Sequence, residues 1–204
     1  MENNERIILD WGCGNRKHPN AIGMDNVKLE AVDIVHSLLD FPYPFADSSA
    51  DEIILSHVLE HFHIDQINQI LQEAYRILKD DGFVTVSVPH ALTIAFATDP
   101  THKTRFTFET LYYFTNQHAF SYYKGLDSLW HIKRYYLWGT LNIFNNNFVI
   151  VPTWKKKIEG SLANLFKVVS RKVSSITSLD MFVRYAPFWL VNIHCRLYKS
   201  NLLT

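Results

Sequence analysis

Ile7-Ile8-Leu9-Asp10-Trp11-Gly12-Cys13-Gly14-Asn15 is the stretch whose reading decides the fold. A short apolar strand, Arg6 to Asp10, ends on an acid and runs straight into Gly-x-Gly. Two glycines let the backbone turn tightly and pass close to a ligand. In open α/β sheets ligands bind outside the carboxyl ends of the strands, where this turn falls. No Gly-Lys-Ser/Thr ending follows, which excludes a P-loop for nucleoside triphosphates.

Outward from that turn, Ala21 to Asp25 and Val32 to His36 read as brief strands, and Glu52 to Ser56 as a buried one. Ile64, Ile67, Leu71, Ala74 and Leu78 share one helical face, with Asp65 early and Lys79 late, and Gly82 supplies the stop. Phe83, Val84, Val86 and Val88 form the next strand, ended by Pro89. This order predicts a parallel sheet with helices packed on it. Further on, Thr107 is placed to cap a helix through Leu111 and Phe114. Trp130 to Trp138 reads as a strand, and the alternation from Trp189 to Leu197 as a half-buried closing strand.

The ordered pieces resemble the class I S-adenosylmethionine-dependent methyltransferases, in particular their short methyltransferase-11-like branch. Asp10, Gly12 and Gly14 match its D-x-G-x-G turn, and Asp25 its acid after the second strand. Phe41 to Asp51 resembles its L-P-F-x-D-x-S-F-D run, and Ser56 to His61 the segment that faces the methyl donor. Glu73, Arg76, Leu78, Lys79, Asp81 and Gly82 match its E-x-x-R-h-L-K-x-G-G, with Asp81 in place of the first glycine. The resemblance covers roughly residues 6–110 and implies a Rossmann-like three-layer α/β sandwich, mostly parallel with an antiparallel closing strand. It implies S-adenosyl-L-methionine as cofactor, held by Asp10, Gly12, Cys13, Gly14, Asp25, Ser37, Leu38 and Ser56. Asp10 would lie near the donor's amino group, Asp25 on the ribose, and Ser37 and Leu38 near the adenine. Ser37 departs from the family's Asp at that place.

The front end departs further. Between Gly14 and Asp25 only ten residues intervene, and a helical crossover between parallel strands takes a dozen or more. The usual first helix is therefore expected to be missing or shortened, leaving Arg16 or Lys17 to supply charge toward the donor's carboxylate.

Transfer of a sulfonium methyl needs alignment, plus a base when the acceptor is a hydroxyl. His57 and His102 are the candidate catalytic bases, with Arg105 placed to hold an anionic acceptor. His57-Val58-Leu59-Glu60-His61 also spells H-x-x-E-H, the pattern of inverted zinc peptidases. That motif belongs in a long helix, whereas this one starts straight after a strand, and no metal is expected. The expected function is methylation of a small-molecule or glycan- or lipid-linked acceptor. The alternative is a degenerate binding module that keeps the fold without catalysis.

Composition bounds the rest. The 204 residues are 48% hydrophobic and 20% charged, a globular composition. Net charge is zero, yet residues 1–100 carry 6 Lys/Arg against 16 Asp/Glu and residues 101–204 carry 14 against 4. Two cysteines cannot build a disulfide framework, and the polar start has no secretory signal, so a cytoplasmic location is expected. Residues 135–154 are uncharged, but Gly139, four asparagines and Pro152 argue against a membrane span. One domain over 1–204 is expected, with a basic amphipathic helical appendage at 152–180 that either packs on the sheet with its cations solvated or contacts an anionic membrane peripherally. Nucleic acid is not expected, because no recognition motif accompanies the charge.

Overall fold

The computed structural model describes residues 6–107, 109–115, 130–143, 146–150 and 189–199. In chain order the elements are β1 (Ile8–Trp11), β2 (Ala21–Asp25), β3 (Ile34–Val35), β4 (Ala50–Ser56), α1 (Ile64–Ile77), β5 (Leu78–Pro89), the single turn α2 (Ile94–Ala97), β6 (Trp130–Ile143), β7 (Asn146–Ile150) and β8 (Trp189–Lys199). They form an eight-stranded sheet of order β3-β2-β1-β4-β5-β8-β6-β7. β1 to β5 run parallel, and β8 closes antiparallel against β5. The chain leaves β1 toward β2 and β3, then returns to β4 and β5 on the other side. The reversal falls between β1 and β4, a topological switch point where such sheets bind ligands.

The central strands are buried because helices and loops cover them: Leu9 and Trp11 of β1, Ile53 and Leu55 of β4, and Val84, Val86 and Val88 of β5 are inaccessible or nearly so. α1 buries Ile67, Ile70, Leu71, Ala74 and Ile77 on one face. In β8, Ile193, Cys195 and Leu197 are buried while Arg196 is exposed, as the alternation predicts.

The front crossover from β1 to β2 contains no helix. Residues 12–20 make the connection by turning through the left-handed region at Gly12 (φ 68°), Gly14 (φ 52°) and Asn20 (φ 63°). The stem of Lys17 lies over Gly23, where a Cβ would meet Lys17 Cδ at 2.6 Å. The covering is thin, and Ile22 of β2 stays 40% exposed.

Two expectations need correction. The helix does not run to Gly82: it ends at Ile77, and Leu78 turns extended (φ −67°, ψ 144°) to pair with Ala50 at the start of β5. Leu78 and Lys79 therefore serve the strand, and Gly82 sits in close quarters, with Lys79 O and Ala50 O at 3.1 and 3.2 Å from its would-be Cβ. Thr107 starts no α-helix; Thr110–Phe114 forms a 3-10 turn that buries Leu111 and Phe114. The appendage at 152–180 lies outside the described residues. No helix among the described residues is long and apolar enough to cross a membrane.

The two sequence signatures at 41–51 and 73–82 turn out to be bonded to each other. Arg76 donates to Glu73, to Asp47 and to the carbonyls of Phe45 and Tyr43, while the Tyr43 N–H donates to Glu73. Lys79 donates to Asp51 at 2.8 Å, and Asp51 also accepts the N–H of Ile7. The Arg76 bond, outweighing partial burial, holds the Glu73 carboxyl below its usual range. These letters thus fasten the 41–51 loop to α1 and to the edge of β1.

Candidate functional site

The carboxyl ends of β1, β2 and β4 bring the front residues together. Asp10 is only 5% exposed and its Oδ2 accepts the N–H of His18 at 2.7 Å, closing the loop on itself. Burial raises its carboxyl above the ordinary aspartate value, against the His18 N–H and the Lys17 charge. Asp25 Oδ2 accepts the N–H of Gly14 at 2.9 Å and Oδ1 that of Val27 at 3.1 Å. Each carboxylate oxygen has two acceptor sites, so Asp25 keeps capacity for a ligand hydroxyl while fixing the loop.

The glycines differ in role. A Cβ on Gly12 would sit 2.6 Å from Val58 Cγ2, so that glycine is required by packing against the chain after β4. A Cβ on Gly14 would meet nothing within 4 Å. Open space beyond a left-handed glycine, flanked by two fixed carboxylates, is what an adenosyl donor needs, and the residues present fit it. Cys13 is buried, its Sγ directed to Gly14 O, and burial together with Asp10 and Asp25 pushes its thiol up to about 11. Such a thiol is not a nucleophile at neutral pH.

Ser37 Oγ accepts the N–H of Leu39, and Leu38 is buried in the core with its carbonyl accepting from Tyr43. The side chain of Leu38 therefore serves packing, and contact with an adenine there would come from the backbone. Lys17 does not stand free for a donor carboxylate: its Nζ pairs with Asp33 at 2.7 Å. Arg16 is exposed beside it.

The second half of the site follows β4. Ser56 is exposed at the strand end, and His57 adopts φ 57°, a left-handed conformation uncommon for a side-chain-bearing residue. His57 Nδ1 lies 3.3 Å from Glu60 Oε1, and its Nε2 lies 3.2 Å from the Asn192 amide. His61 contacts Thr101 instead, through Nδ1 at 2.8 Å. Leu59–His61 is one 3-10 turn and α1 begins only at Ile64, so no helix carries H-x-x-E-H as a zinc peptidase requires. His102 directs Nδ1 to Phe96 O at 2.9 Å and packs its ring against His61, centroids 4.9 Å apart. A recess of about 400 Å³ lies beside it, lined by Leu92, Phe96, Asp99, His102 and Arg105 among others.

Glu60 entered the sequence reading only as the glutamate of H-x-x-E-H, not as a buried acid of the site. It sits at 0% exposure between His57 on one side and His61 and His102 on the other. The available signal was an acid directly after the apolar pair Val58-Leu59 and immediately before a histidine.

Residues 9–86 match the family described as Methyltransferase domain. No curated relative matches the sequence. Among solved structures, a SAM-dependent methyltransferase from Archaeoglobus fulgidus aligns with TM-score 0.57 at 16% identity, over 95% of this chain and 86% of its own. A Bacillus halodurans protein described as a methyltransferase aligns with TM-score 0.53 at 13% identity, over 93% and 90%. The MccD protein gives TM-score 0.50 at 12% identity, over 96% and 90%. At these identities the likeness is one of fold: the parallel sheet with its antiparallel closing strand is the Rossmann-like methyltransferase sheet.

Proposed function

We propose that the chain, whose residues 9–86 match the Methyltransferase domain family, is a class I S-adenosylmethionine-dependent methyltransferase that transfers the donor's methyl group to a small-molecule or glycan-type acceptor. S-adenosyl-L-methionine supplies an electrophilic methyl on a sulfonium, so the protein's task is alignment and, for a hydroxyl acceptor, proton removal. The observation that carries the reading is the open face of Gly14 between Asp10 and Asp25, three residues locked by backbone hydrogen bonds. Asp25 offers its remaining lone pairs to ribose hydroxyls, and Asp10 its buried carboxylate to an ammonium. Arg16 is the cation near enough in sequence to meet a carboxylate now that the first helix is gone.

On the acceptor side, the recess beside His102 has room for a small ring or a single sugar, and Arg105 gives it one positive charge. His57 takes the proton, with Glu60 behind Nδ1 holding the tautomer that leaves Nε2 as acceptor. The Asn192 amide occupies that Nε2 until an acceptor hydroxyl displaces it. His102 holds the acceptor from the recess wall. Peripheral binding to an anionic membrane, which would bring a lipid-linked acceptor, rests on the basic sequence of 152–180 alone.

The reading is tested with methyl-labelled donor and pooled sugars, lipids and small metabolites. Label should move to one acceptor class with wild type and fall about a hundredfold or more with His57→Gln, the scale of a lost acid–base contribution. A chain that binds the donor yet labels nothing in any pool would leave only the non-catalytic binding module.

A further inference from the structure

Among the described residues, one fully buried acid is met only by a loose contact with a single imidazole. Glu60 is fully buried, and neither carboxylate oxygen has a hydrogen bond; the nearest ring nitrogen, on His57, stands at 3.3 Å. A buried carboxylate without hydrogen bonds is costly, and in native proteins such a group calls for a missing partner. Beside it, one ligand atom each of Glu60, His61 and His102 lie within 4.8 Å of one another.

The hydrogen bonds decide which ring nitrogens are available. Thr101 has one hydroxyl proton and donates it to Asp99 Oδ1 at 2.6 Å. At the 2.8 Å contact with His61 it must therefore accept, so His61 carries its proton on Nδ1. Phe96 O, a carbonyl, can only accept, so His102 likewise carries its proton on Nδ1. Both rings are left with a lone pair on Nε2, and that of His102 also lies 3.7 Å from Asp99 Oδ2. Ligating histidines characteristically donate the other N–H to a carbonyl or a carboxylate-linked group, which fixes the ring and raises its basicity. The backbone is also set: Glu60 O accepts the N–H groups of Lys103 and Thr104, and Thr104 Oγ1 donates to Phe62 O, lacing the two segments together.

We propose that Glu60, His61 and His102 bind a single divalent transition-metal ion, zinc by preference. Two neutral imidazoles and a carboxylate are ligands that zinc accepts. Bonds of about 2.0–2.2 Å put ligands on one ion at about 4 Å or less apart, so the cluster contracts slightly by side-chain rotation. Three protein ligands leave a coordination position open, as in sites where a metal holds a reacting oxygen. His102 belongs both to the cluster and to the wall of the recess, so that position takes an oxygen of the acceptor. This last step rests on the methyl-transfer reading; the metal site does not.

The test is calorimetric titration of the full, tag-free chain with zinc chloride alone, with S-adenosylhomocysteine binding as a separate check on each variant. Wild type should take up one zinc. His61→Gln and His102→Gln should each weaken it by about a hundredfold or more. Thr101→Val, which removes the hydroxyl that stands between Asp99 and His61 and leaves all three ligands in place, should weaken it by about tenfold to a hundredfold. Nucleotide binding should persist in all three. No zinc uptake by wild type, or equal uptake in His61→Gln and His102→Gln, overturns the proposal. Failure of the chain to bind S-adenosylhomocysteine bears on the methyl-transfer reading and leaves the zinc result standing.

Discussion

Two acids at the ends of neighbouring strands have opposite surroundings. Asp10, near the end of β1, is buried but accepts a backbone N–H at 2.7 Å and sits near Lys17. Glu60, just beyond β4, is buried more completely and accepts no hydrogen bond. The first is part of a loop that the chain completes by itself. The second stands in a cluster of imidazoles that the chain leaves incomplete. Burial alone therefore does not mark a functional acid; a missing partner does.

The sharpest way to break the comparison is at the glycines that separate the two regions. Gly12→Ala forces a methyl to 2.6 Å from the stiff, buried Val58 and onto a φ of 68°. A left-handed residue costs about 1–2 kcal/mol and overpacking about 1–3 kcal/mol, so urea unfolding should show a loss of about 3 kcal/mol. Gly14→Ala meets no atom, and only the left-handed term of about 1–2 kcal/mol applies. Its methyl enters the donor space, so S-adenosylhomocysteine affinity should fall well beyond what the lost stability explains. Equal losses in both variants would mean that neither glycine faces a ligand.

Glu60→Gln sharpens the contrast from the other side. Replacing an unpartnered buried charge with an isosteric amide should raise stability in chelator-treated protein by about 1 kcal/mol or more. A destabilised variant would show that the carboxylate already has its partner in His57.

The smallest effect is on pH. Burial raises the folded-state pKa of Asp10, so just above the ordinary aspartate value the folded chain keeps a proton that the unfolded chain has released. Stability from this group falls as pH rises through that window and levels off above the raised value. Asp10→Asn should remove that slope in urea melts taken across mildly acidic pH. An unchanged slope would assign it to another carboxyl.

Most of the sheet was legible because its strands are short apolar runs bounded by glycine, proline and acids. β2 is placed residue for residue at Ala21–Asp25. The helixless front followed from counting the residues between Gly14 and Asp25, since no helical crossover fits there. The end of α1 was not legible: Leu78 continues the helical stripe, yet pairing with Ala50 outweighs periodicity. Motif letters also hid their purpose. Glu73, Arg76 and Lys79 pointed to a methyltransferase, but their partners are Asp47, Asp51 and loop carbonyls. The Glu60 cluster was out of reach because it joins residues 60–61 to 99–102 through hydroxyl and carbonyl contacts that spacing along the chain does not encode.

The central claim is that a glycine turn without a helix behind it still holds the adenosyl donor. Calorimetry with S-adenosylhomocysteine on wild type and Asp25→Ala tests it most directly. One molecule should bind wild type, and loss of the Asp25 carboxylate should weaken binding by about tenfold to a hundredfold, the scale of hydrogen bonds to a charged group. No binding heat with folded wild-type chain, or equal affinity in Asp25→Ala, would contradict it.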